Sequence, residues 1–535
     1  MTTRPATVPA FGAASGHLVS AFLFHNARVL TMNPALPQAE AVAVHDGRIV
    51  AVGDAAQAAG ALDSTAERID CGGGVLLPAF IDAHCHLLSY AASLRAVDCT
   101  GARSFAEIEE AIRRRAAHTP AGEWIRAFGY EETALAEGRH PTRHDLDAAV
   151  VDHPVRLIHR SGHASVLNSL ALERAGIDIA TEEPPGGALE RELPSGEPSG
   201  LLLGMERLID SAVPPPPYQE LAKGVQEAAA RLLRAGVACV QDAGATNGRS
   251  EWELFERLIA EGALPLSVVL MEGFDHLGEL PEQGADGRLR RGPVKIMLHE
   301  LGDDLSPDEA ELARWVGEAH TAGRQVAVHA VGERAVVASA EAIAAALRRR
   351  PRADHRHRIE HCGLLPERLA PRLAQIGVIV VGQPAFVRER GERYLRLVPA
   401  EQRSSLHAFR TLADAGVALA AGSDAPVTAP EPLPAMAAAM DRRTAAGGTL
   451  GADEAVGAEE ALRWWTAGAA YAAFQEDERG TLQPGLRADL ALLSADPTDL
   501  QPDELRALTV DRLWLEGRLV EAGDLDRAAK HTYTQ

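Results

Sequence analysis

Lysine is nearly absent from this chain of 535 residues, in which only Lys223, Lys295 and Lys530 stand among 53 basic residues. Arginine therefore serves wherever the chain needs only a positive charge. Cysteine is scarce as well, with five residues and no CxxC pair. This content argues against a disulfide-stabilised scaffold and favours a reduced, cytoplasmic protein. Aromatic residues make up only 4%, so Ala, Leu and Val must fill most of the core.

Long apolar runs and clusters of basic charge are also missing. No stretch reaches the ~18 apolar residues that a membrane helix needs, and the short apolar run at 18–24 lacks the basic leader of a signal peptide. A net charge of −22 argues against nucleic acid and anionic membranes, because both attract clustered Lys and Arg. We expect neither as a partner, and expect instead a small-molecule substrate and a homo-oligomer, specifically a dimer.

Apolar runs alternate with amphipathic segments through the middle of the chain, a pattern typical of βα units and a parallel sheet. The runs predict an α/β fold, a TIM-type (β/α)8 barrel over residues 75–475, with insertions at about 88–150 and 164–230. The eight predicted strands are 75–81, 155–159, 237–241, 294–298, 325–329, 357–361, 378–381 and 417–421.

Both ends of the chain have a different texture, with short strands around glycine turns such as the pair Asp46-Gly47. We expect residues 18–74 and 476–535 to form one small β-sandwich domain, which would bring the two termini close together. Residues 1–17, which are rich in Ala, Thr and Pro, are expected to form a flexible tail.

Residues that can bind metal stand at the ends of several predicted strands. His84 and His86 are two positions apart after an apolar run, so they face the same side of an extended strand and make up half of a zinc site. His329, His361 and Asp424 each end a strand and begin a Gly-containing loop. Because barrel enzymes carry their active sites at the C-terminal ends of the strands, we expect these side chains to bind one or two divalent ions, with zinc as the expected metal.

Lys295 lies within the apolar segment VKIML, where a buried lysine is costly unless it is neutral or paired. In a chain that otherwise uses arginine, this lysine indicates that the amine itself is needed. A neutral amine reacts with CO₂ to give a carbamate, an anionic ligand that can bridge two metals. A Schiff-base lysine and a lysine whose amine reaches the surface are the alternatives.

Asp424 is the expected catalytic residue. A metal ion lowers the pKa of bound water from 15.7 to about 7. Asp424 can accept the proton of that water as it attacks a carbonyl and deliver it to the leaving amine, which is general base and then general acid catalysis.

Three other polar residues near these motifs are expected to have supporting or surface positions. His355 and His357, in the segment RADHRHR, are expected to be solvated loop residues. Asp82 shares the face of His84 and His86 and is expected to orient one of these ligands without binding the metal itself.

The motifs occur together in a known family. The segments PAFIDAHCH, VKIML, VAVHAVGERAV, RIEHC and AGSDAPV resemble the amidohydrolase superfamily, specifically its family-3 branch, which includes N-substituted formamide deformylases. HPTRHDLD, SGHASVLNS and GTLQPGLRADL resemble the same branch, so the resemblance runs from about residue 21 to residue 523. It implies a metal-dependent hydrolase that cleaves the C–N bond of an N-acyl or N-formyl amide, linear or cyclic.

The resemblance also implies roles for single residues. It makes His84, His86, His329 and His361 metal ligands, Lys295 the carboxylated bridge, and Asp424 a ligand and proton shuttle. His163 and Asn168, at the end of the second predicted strand, would reach the substrate. The branch usually has an acidic residue and a glycine after VKIML, where this chain has His299 and Glu300, so His299 is expected to help set specificity. Gln383 is expected to line the pocket, with a structural role as the alternative.

Two other functions stay open on the residues alone. The same metal site could hydrolyse an ester, a lactone or a phosphoester. The chain could instead be a non-catalytic scaffold that has lost its metals, although such a loss normally erases ligands and all six positions are filled here.

Overall fold

The computed structural model describes residues 21–184, 186–301 and 304–521. The predicted tail at 1–17 lies outside the described residues, as do the outermost parts of the predicted terminal domain. The chain divides into two compact units. The first consists of the described parts of Met1–Leu87, Val225–Met297 and Glu311–Gln535, and the second of those of Leu88–Gly224 and Leu298–Ala310.

Eight strands of the first unit form one parallel sheet in sequential order, so that each strand pairs with its neighbours in the chain. These are β1 (Phe80–Cys85), β2 (Val237–Asp242), β3 (Ser267–Gly273), β4 (Leu289–Met297), β5 (Val326–Ala330), β6 (Arg358–His361), β7 (Ile379–Gly382) and β8 (Ala418–Ala421).

The sheet curls into a nearly closed barrel, because the chain after β8 returns to β1. The backbone N–H of Asp424 donates to the carbonyl of His84 at 2.7 Å, and the N–H of His86 donates to that of Ala425 at 2.8 Å. A Cβ atom on Gly422 would lie 2.5 Å from the His84 nitrogen, so only glycine permits this close approach. The predicted TIM-type barrel is thereby confirmed.

One of the predicted barrel strands is wrong. Val155–His159 belongs to a sheet of the second unit, and the third barrel strand is Ser267–Gly273 instead. The burial patterns give the reason: VRLIH alternates between buried and half-buried residues, as in a sheet with one covered face, whereas every residue of SVVLMEG is buried. A parallel barrel strand is covered on both faces and therefore has a continuous apolar run.

The predicted first strand, 75–81, is divided between two sheets. Val75–Pro78 pairs with Leu490–Leu493 near the C-terminus and with Arg28–Leu30 near the N-terminus. Pro78 has no N–H to donate, and the chain leaves this sheet directly after it, so that β1 begins at Phe80.

Strands from both ends of the chain form two further sheets, as the short runs indicated. Ala21–His25, Ala41–His45, Arg48–Gly53 and Glu67–Asp70 make up one, and Arg28–Leu30, Gln38–Ala39, Val75–Pro78, Leu490–Leu493, Val510–Leu515 and Arg518–Leu519 the other. Phe24 and Trp514, one from each sheet, pack edge to face with ring centroids 5.0 Å apart. Since these strands fall in the same compact unit as the barrel, a separate β-sandwich domain stays a prediction.

The second unit has a six-stranded sheet of its own. In spatial order the strands are Ala188–Arg191, Pro198–Leu203, Ala164–Leu167, Val155–His159, Ile125–Tyr130 and Val97–Asp98. Its apolar core includes Ile108, Leu157 and Val166. Two short antiparallel strands, His299–Leu301 and Asp304–Ser306, belong to the same unit.

Helices connect most of these strands. Phe105–Ala116, for example, begins where the Ser104 hydroxyl accepts from the N–H of Glu107. No helix in the described ranges is long and apolar enough to cross a membrane. The α-helices are Ala55–Gly60, Leu87–Arg95, Phe105–Ala116, Arg143–Asp147, Ser169–Ala175, Glu206–Ala212, Tyr218–Arg234, Arg249–Ala260, Glu309–Thr321, Glu333–Arg349, Ala370–Ile376, Ala385–Glu389, Gly391–Leu397, Phe409–Asp414, Pro432–Asp441, Ala458–Trp464, Ala467–Tyr471 and Pro502–Ala507.

Candidate metal centre

Three of the predicted ligands meet where β1 and β8 come together. The Asp424 Oδ1 atom lies 3.4 Å from His84 Nε2 and 3.2 Å from His86 Nε2, and one ligand atom from each residue lies within 4.8 Å of the others. Two ligand atoms on a tetrahedral zinc ion, with bonds of about 2.0–2.1 Å, lie about 3.3 Å apart. The side chains are therefore spaced as ligands of a single ion.

Hydrogen bonds that the Asp82 carboxylate accepts hold the two strand ends in this arrangement. Its Oδ1 accepts from the backbone N–H groups of His84 and Ser423 at 3.1 and 3.0 Å, and its Oδ2 accepts from the Ser423 hydroxyl. Asp82 thus contacts the backbone of a predicted ligand. Asp424 itself has a φ of +57°, and such left-handed backbone at non-glycine residues is frequent at functional sites.

The Asp424 carboxylate is held in its ionised form. Burial opposes ionisation, but the neighbouring imidazoles of His84, His86 and His361 outweigh it and keep the pKa of Asp424 well below its usual range. An ionised carboxylate is both a metal ligand and a proton acceptor.

A second pair of predicted ligands lies beside the first group. His329 and His361, at the ends of β5 and β6, have Nδ1 and Nε2 atoms 2.9 Å apart, and the ring centroids of His361 and His84 are 4.8 Å apart. The backbone of His361 is left-handed, with a φ of +70°. Burial lowers the pKa of His361 to about 3, so its ring is neutral and can bind metal at neutral pH.

Lys295 lies on β4 and is 1% exposed. Its Nζ atom is buried without a hydrogen-bond partner among the described residues, which is costly for an ammonium group. Burial lowers the pKa of Lys295 to about 8, although the negative charges of Glu360 and Asp424 act in the opposite direction. A buried amine of this kind fits the chemistry of a carbamate. The Nε2 atom of His84, for which the described part of the chain likewise offers no hydrogen-bond partner, fits a metal ligand.

The sequence prediction missed two charged residues of β6 that contact this centre. Glu360 is fully buried and bonds to His84 Nδ1, while Arg358 is fully buried and donates to both oxygens of Glu360. A signal was present: Arg358 and Glu360 are two positions apart in a strand expected to be buried, and buried charges must be paired.

The two amides predicted to contact substrate are occupied within the protein. Gln383 is fully buried and its Oε1 lies 2.8 Å from His361 Nδ1, so it orients a predicted ligand. Asn168 is fully buried; its oxygen accepts from two backbone N–H groups and its nitrogen donates to two backbone carbonyls. These contacts occupy the polar atoms of Asn168 within the protein and place Gln383 beside His361, and contact of either amide with substrate stays a prediction.

His163 and His299 belong to the second unit and lie close to each other there. Their ring centroids are 5.7 Å apart, and His163 Nδ1 is 3.3 Å from Glu206 Oε1. Burial opposes the ionisation of Glu206, but the hydrogen bond from His163 and the charges of both histidines lower its pKa. His163 is open to solvent and His299 is partly buried.

The barrel and its group of histidines, aspartate and buried lysine define a metal-dependent hydrolase. Residues 67–521 match the amidohydrolase family, and the chain belongs to this family.

Similar proteins include the N-substituted formamide deformylase of Arthrobacter pascens, 32% identical over 92% of this chain and 97% of its own length. The putative amidohydrolase YtcJ of Bacillus subtilis is 29% identical over 93% of this chain and 99% of its own length. The crystal structure of an uncharacterized metal-dependent hydrolase from Pyrococcus furiosus matches with a TM-score of 0.70 and 25% identity, over 89% of this chain and all of that one.

Proposed function

We propose that this chain hydrolyses the C–N bond of an amide, in an N-formyl, N-acyl or cyclic form, with zinc at the centre of His84, His86 and Asp424. The observation that carries the proposal is the spacing of Asp424 Oδ1, 3.4 and 3.2 Å from the two Nε2 atoms. These three atoms would hold one cation, with the Asp424 carboxylate as one of its ligands.

A divalent cation bound there would supply Lewis acidity, polarising the scissile carbonyl and making water acidic enough to lose a proton near neutral pH. The Asp424 carboxylate would accept that proton as the C–O bond forms. It would then return the proton to the nitrogen as the C–N bond breaks, so that a neutral amine leaves.

The need to protonate the leaving group favours amides over esters. An amine leaves only after its nitrogen is protonated, whereas an alkoxide leaves more easily without help. A buried carboxylate that can return a proton is therefore of greater value for C–N cleavage. The similarity to an N-substituted formamide deformylase supports the same choice. Ester, lactone or phosphoester hydrolysis is the second candidate, and a non-catalytic scaffold the third.

A second ion is part of the proposal. His329 and His361 offer two nitrogens 2.9 Å apart, and Lys295 offers a buried amine with no hydrogen-bond partner among the described residues. Addition of CO₂ to the neutral amine would form an N–C bond and release one proton, which turns a potential cation into an anionic carbamate. The carbamate would bridge the two ions.

The predicted roles of His163 in contacting the substrate and of His299 in setting specificity remain part of the proposal. The predictions of a dimer and of a cytoplasmic location carry over from the sequence, as does zinc as the metal.

The proposal is tested with His84→Ala and a panel of substrates. We expect His84→Ala to lose bound metal, measured by elemental analysis, and all turnover, while its circular dichroism stays that of the folded protein. His118→Ala, at an exposed position, is the control and should keep both. On the panel, metal-loaded wild type should cleave a formamide, an amide or a cyclic imide with a higher kcat/KM than the matching ester or lactone.

Two results would count against the assignment separately. Full metal content in His84→Ala would remove the metal site. Normal metal content with faster ester or lactone cleavage would leave the site in place and replace the C–N bond by a C–O bond.

A further inference from the structure

The imidazole of His84 lies between two carboxylates. Its Nδ1 atom bonds to Glu360, and its Nε2 atom faces Asp424 Oδ1 at 3.4 Å. Both His84 and Glu360 are fully buried, so water cannot substitute for either contact. The position of the ring proton therefore decides what each nitrogen of His84 can do.

Glu360 is fixed as an ionised acceptor by Arg358. The guanidinium Nε donates to Glu360 Oε1 at 2.7 Å and Nη2 donates to Oε2 at 2.9 Å, which is the two-pronged geometry that binds carboxylates most strongly. The same guanidinium donates to the carbonyl of Ala83 at 2.8 Å and to the side chain of Gln241. Arg358 thus ties Glu360 to the strand that carries His84.

An ionised carboxylate only accepts hydrogen bonds, so His84 must donate to Glu360 from Nδ1. In the neutral ring, Nε2 then carries a lone pair, and that lone pair faces a second acceptor, Asp424 Oδ1. Two acceptors at this separation repel each other unless a positive species lies between them. The arrangement thus prepares Nε2 to bind a cation.

We propose that Glu360, held by Arg358, is a positioning residue that fixes the Nδ1–H form of His84 and so presents Nε2 to the metal. This inference rests on the proposed metal site. Removal of such a partner of a ligating histidine typically weakens metal binding 10–100-fold, because the ring loses both its orientation and the stabilisation of one protonation form.

The matched variants are Glu360→Gln and Glu454→Gln. Glu454 is also a buried carboxylate, and it accepts two hydrogen bonds from Thr411. We expect Glu360→Gln to raise the Kd for Zn²⁺, measured by chelator competition, by about 10–100-fold. The visible absorption spectrum of its Co²⁺ form should also shift. Glu454→Gln should match wild type in both measurements.

A measurement on the wild-type chain keeps the inference testable even if Glu360→Gln does not fold. In the full chain freed of metal, ¹⁵N-histidine NMR should show His84 protonated at Nδ1, with His84→Ala identifying its signals. A Kd and Co²⁺ spectrum in Glu360→Gln equal to wild type, or protonation of His84 at Nε2 and not at Nδ1, would overturn the role of Glu360. If wild type itself bound no metal, the proposed function would fail first, which is a distinguishable outcome.

Discussion

At the scale of single residues, the chemical form of the Lys295 side chain matters most for the proposed two-metal centre. An ammonium group at this buried position would repel the cations that the neighbouring histidines and Asp424 are arranged to bind. A carbamate reverses the sign of the charge and supplies two oxygens. Arginine keeps the charge and nearly the size of lysine, but it stays protonated and cannot react with CO₂.

Lys295→Arg should therefore bind one ion per chain instead of two and lose most turnover, as elemental analysis and kinetics would measure. Lys295→Ala should be partly rescued by short carboxylic acids such as formate or acetate, which can occupy the position of the bridge. Wild type exposed to ¹³C-labelled bicarbonate should give a carbamate signal that Lys295→Arg lacks. An unmodified lysine beside one ion would replace the two-metal mechanism by a one-metal mechanism in which Asp424 still activates water.

His299 permits a separate test of specificity. His299→Asp places a carboxylate in the cluster of His163 and Glu206, so the variant should prefer more cationic substrates. We expect the ratio of kcat/KM values between two panel substrates to change by about tenfold or more, with metal content unchanged. His118→Asp, an exposed change in the same unit, is the control. Loss of metal in His299→Asp would assign the residue to the metal centre instead.

The ligand residues could be predicted from the sequence because each stands at the end of an apolar strand, and strand ends converge in a barrel. Three of these predictions, His84, His86 and Asp424, meet within ligand distance. The contacts of Asn168 and Gln383 could not be predicted in this way. A buried amide that bonds to the backbone and an amide that faces a substrate have the same sequence signature, and only the surrounding contacts separate them.

At the scale of elements, strand β6 begins beside three histidines that lie apart from the metal centre. His357 Nδ1 accepts from the N–H of Val326 at 3.1 Å, and its Nε2 lies 2.8 Å from His320 Nδ1. His355 Nδ1 accepts from the N–H of His357 at 2.9 Å. The expectation that His355 and His357 are solvated is wrong, since they are 3% and 0% exposed.

These contacts keep both rings neutral. A ring nitrogen that accepts from an N–H group cannot carry a proton itself, and burial lowers the pKa of His355 and lowers that of His357 further. The charge of Arg352 acts in the same direction on both rings. The sequence could not reveal this, because a run of histidines and arginines has the composition of a surface loop.

We expect the free energy of unfolding to fall as the pH drops below about 6.5, the usual pKa of histidine. In this range the histidine rings bind protons in the unfolded chain but not in the folded protein. This lowers the free energy of unfolding by up to about 1.4 kcal/mol per ring for each pH unit. Well above pH 6.5 the rings are neutral in both the folded and the unfolded chain, so their contribution to the pH dependence vanishes. Urea unfolding at pH 7.5, 6.5 and 5.5 measures the slope.

The matched variants for this prediction are His357→Asn and His118→Asn. Asparagine at position 357 offers an oxygen to the N–H of Val326 but does not titrate, so the slope should become shallower. The exposed His118→Asn should keep the wild-type slope. His361 and His407, whose pKa values burial lowers to about 3, contribute equally to all three proteins. An unchanged slope in His357→Asn would remove the histidine group as the cause.

At the scale of the whole molecule, the chain builds its units from segments that are distant in sequence. The second unit combines Leu88–Gly224 with Leu298–Ala310, and β1 is separated from β2 by about 150 residues that belong mostly to it. Local patterns identified most of the barrel strands, since each buries a continuous apolar run. They could not assign Val155–His159 to its own sheet, because membership of a sheet depends on partners far along the chain.

The five cysteines report on both units, because they are distributed over the whole molecule. Cys71, Cys85, Cys239 and Cys362 lie in the first unit and Cys99 in the second. All are free and buried. Burial raises the pKa of Cys71 to about 11 and those of Cys99 and Cys362 to about 12. Because only the thiolate reacts with disulfide reagents, native thiols should react slowly at neutral pH.

We expect Ellman's reagent to label none of the five thiols in the native protein within minutes, and all five at once in denaturant. Slow labelling should then require opening of the structure, so that its rate at each cysteine measures how often that region unfolds. Mass spectrometry of partly labelled protein would separate Cys99 from the four thiols of the first unit, and equal rates would mean that both units open together. A thiol that reacts rapidly in the native state would contradict the burial on which this prediction depends.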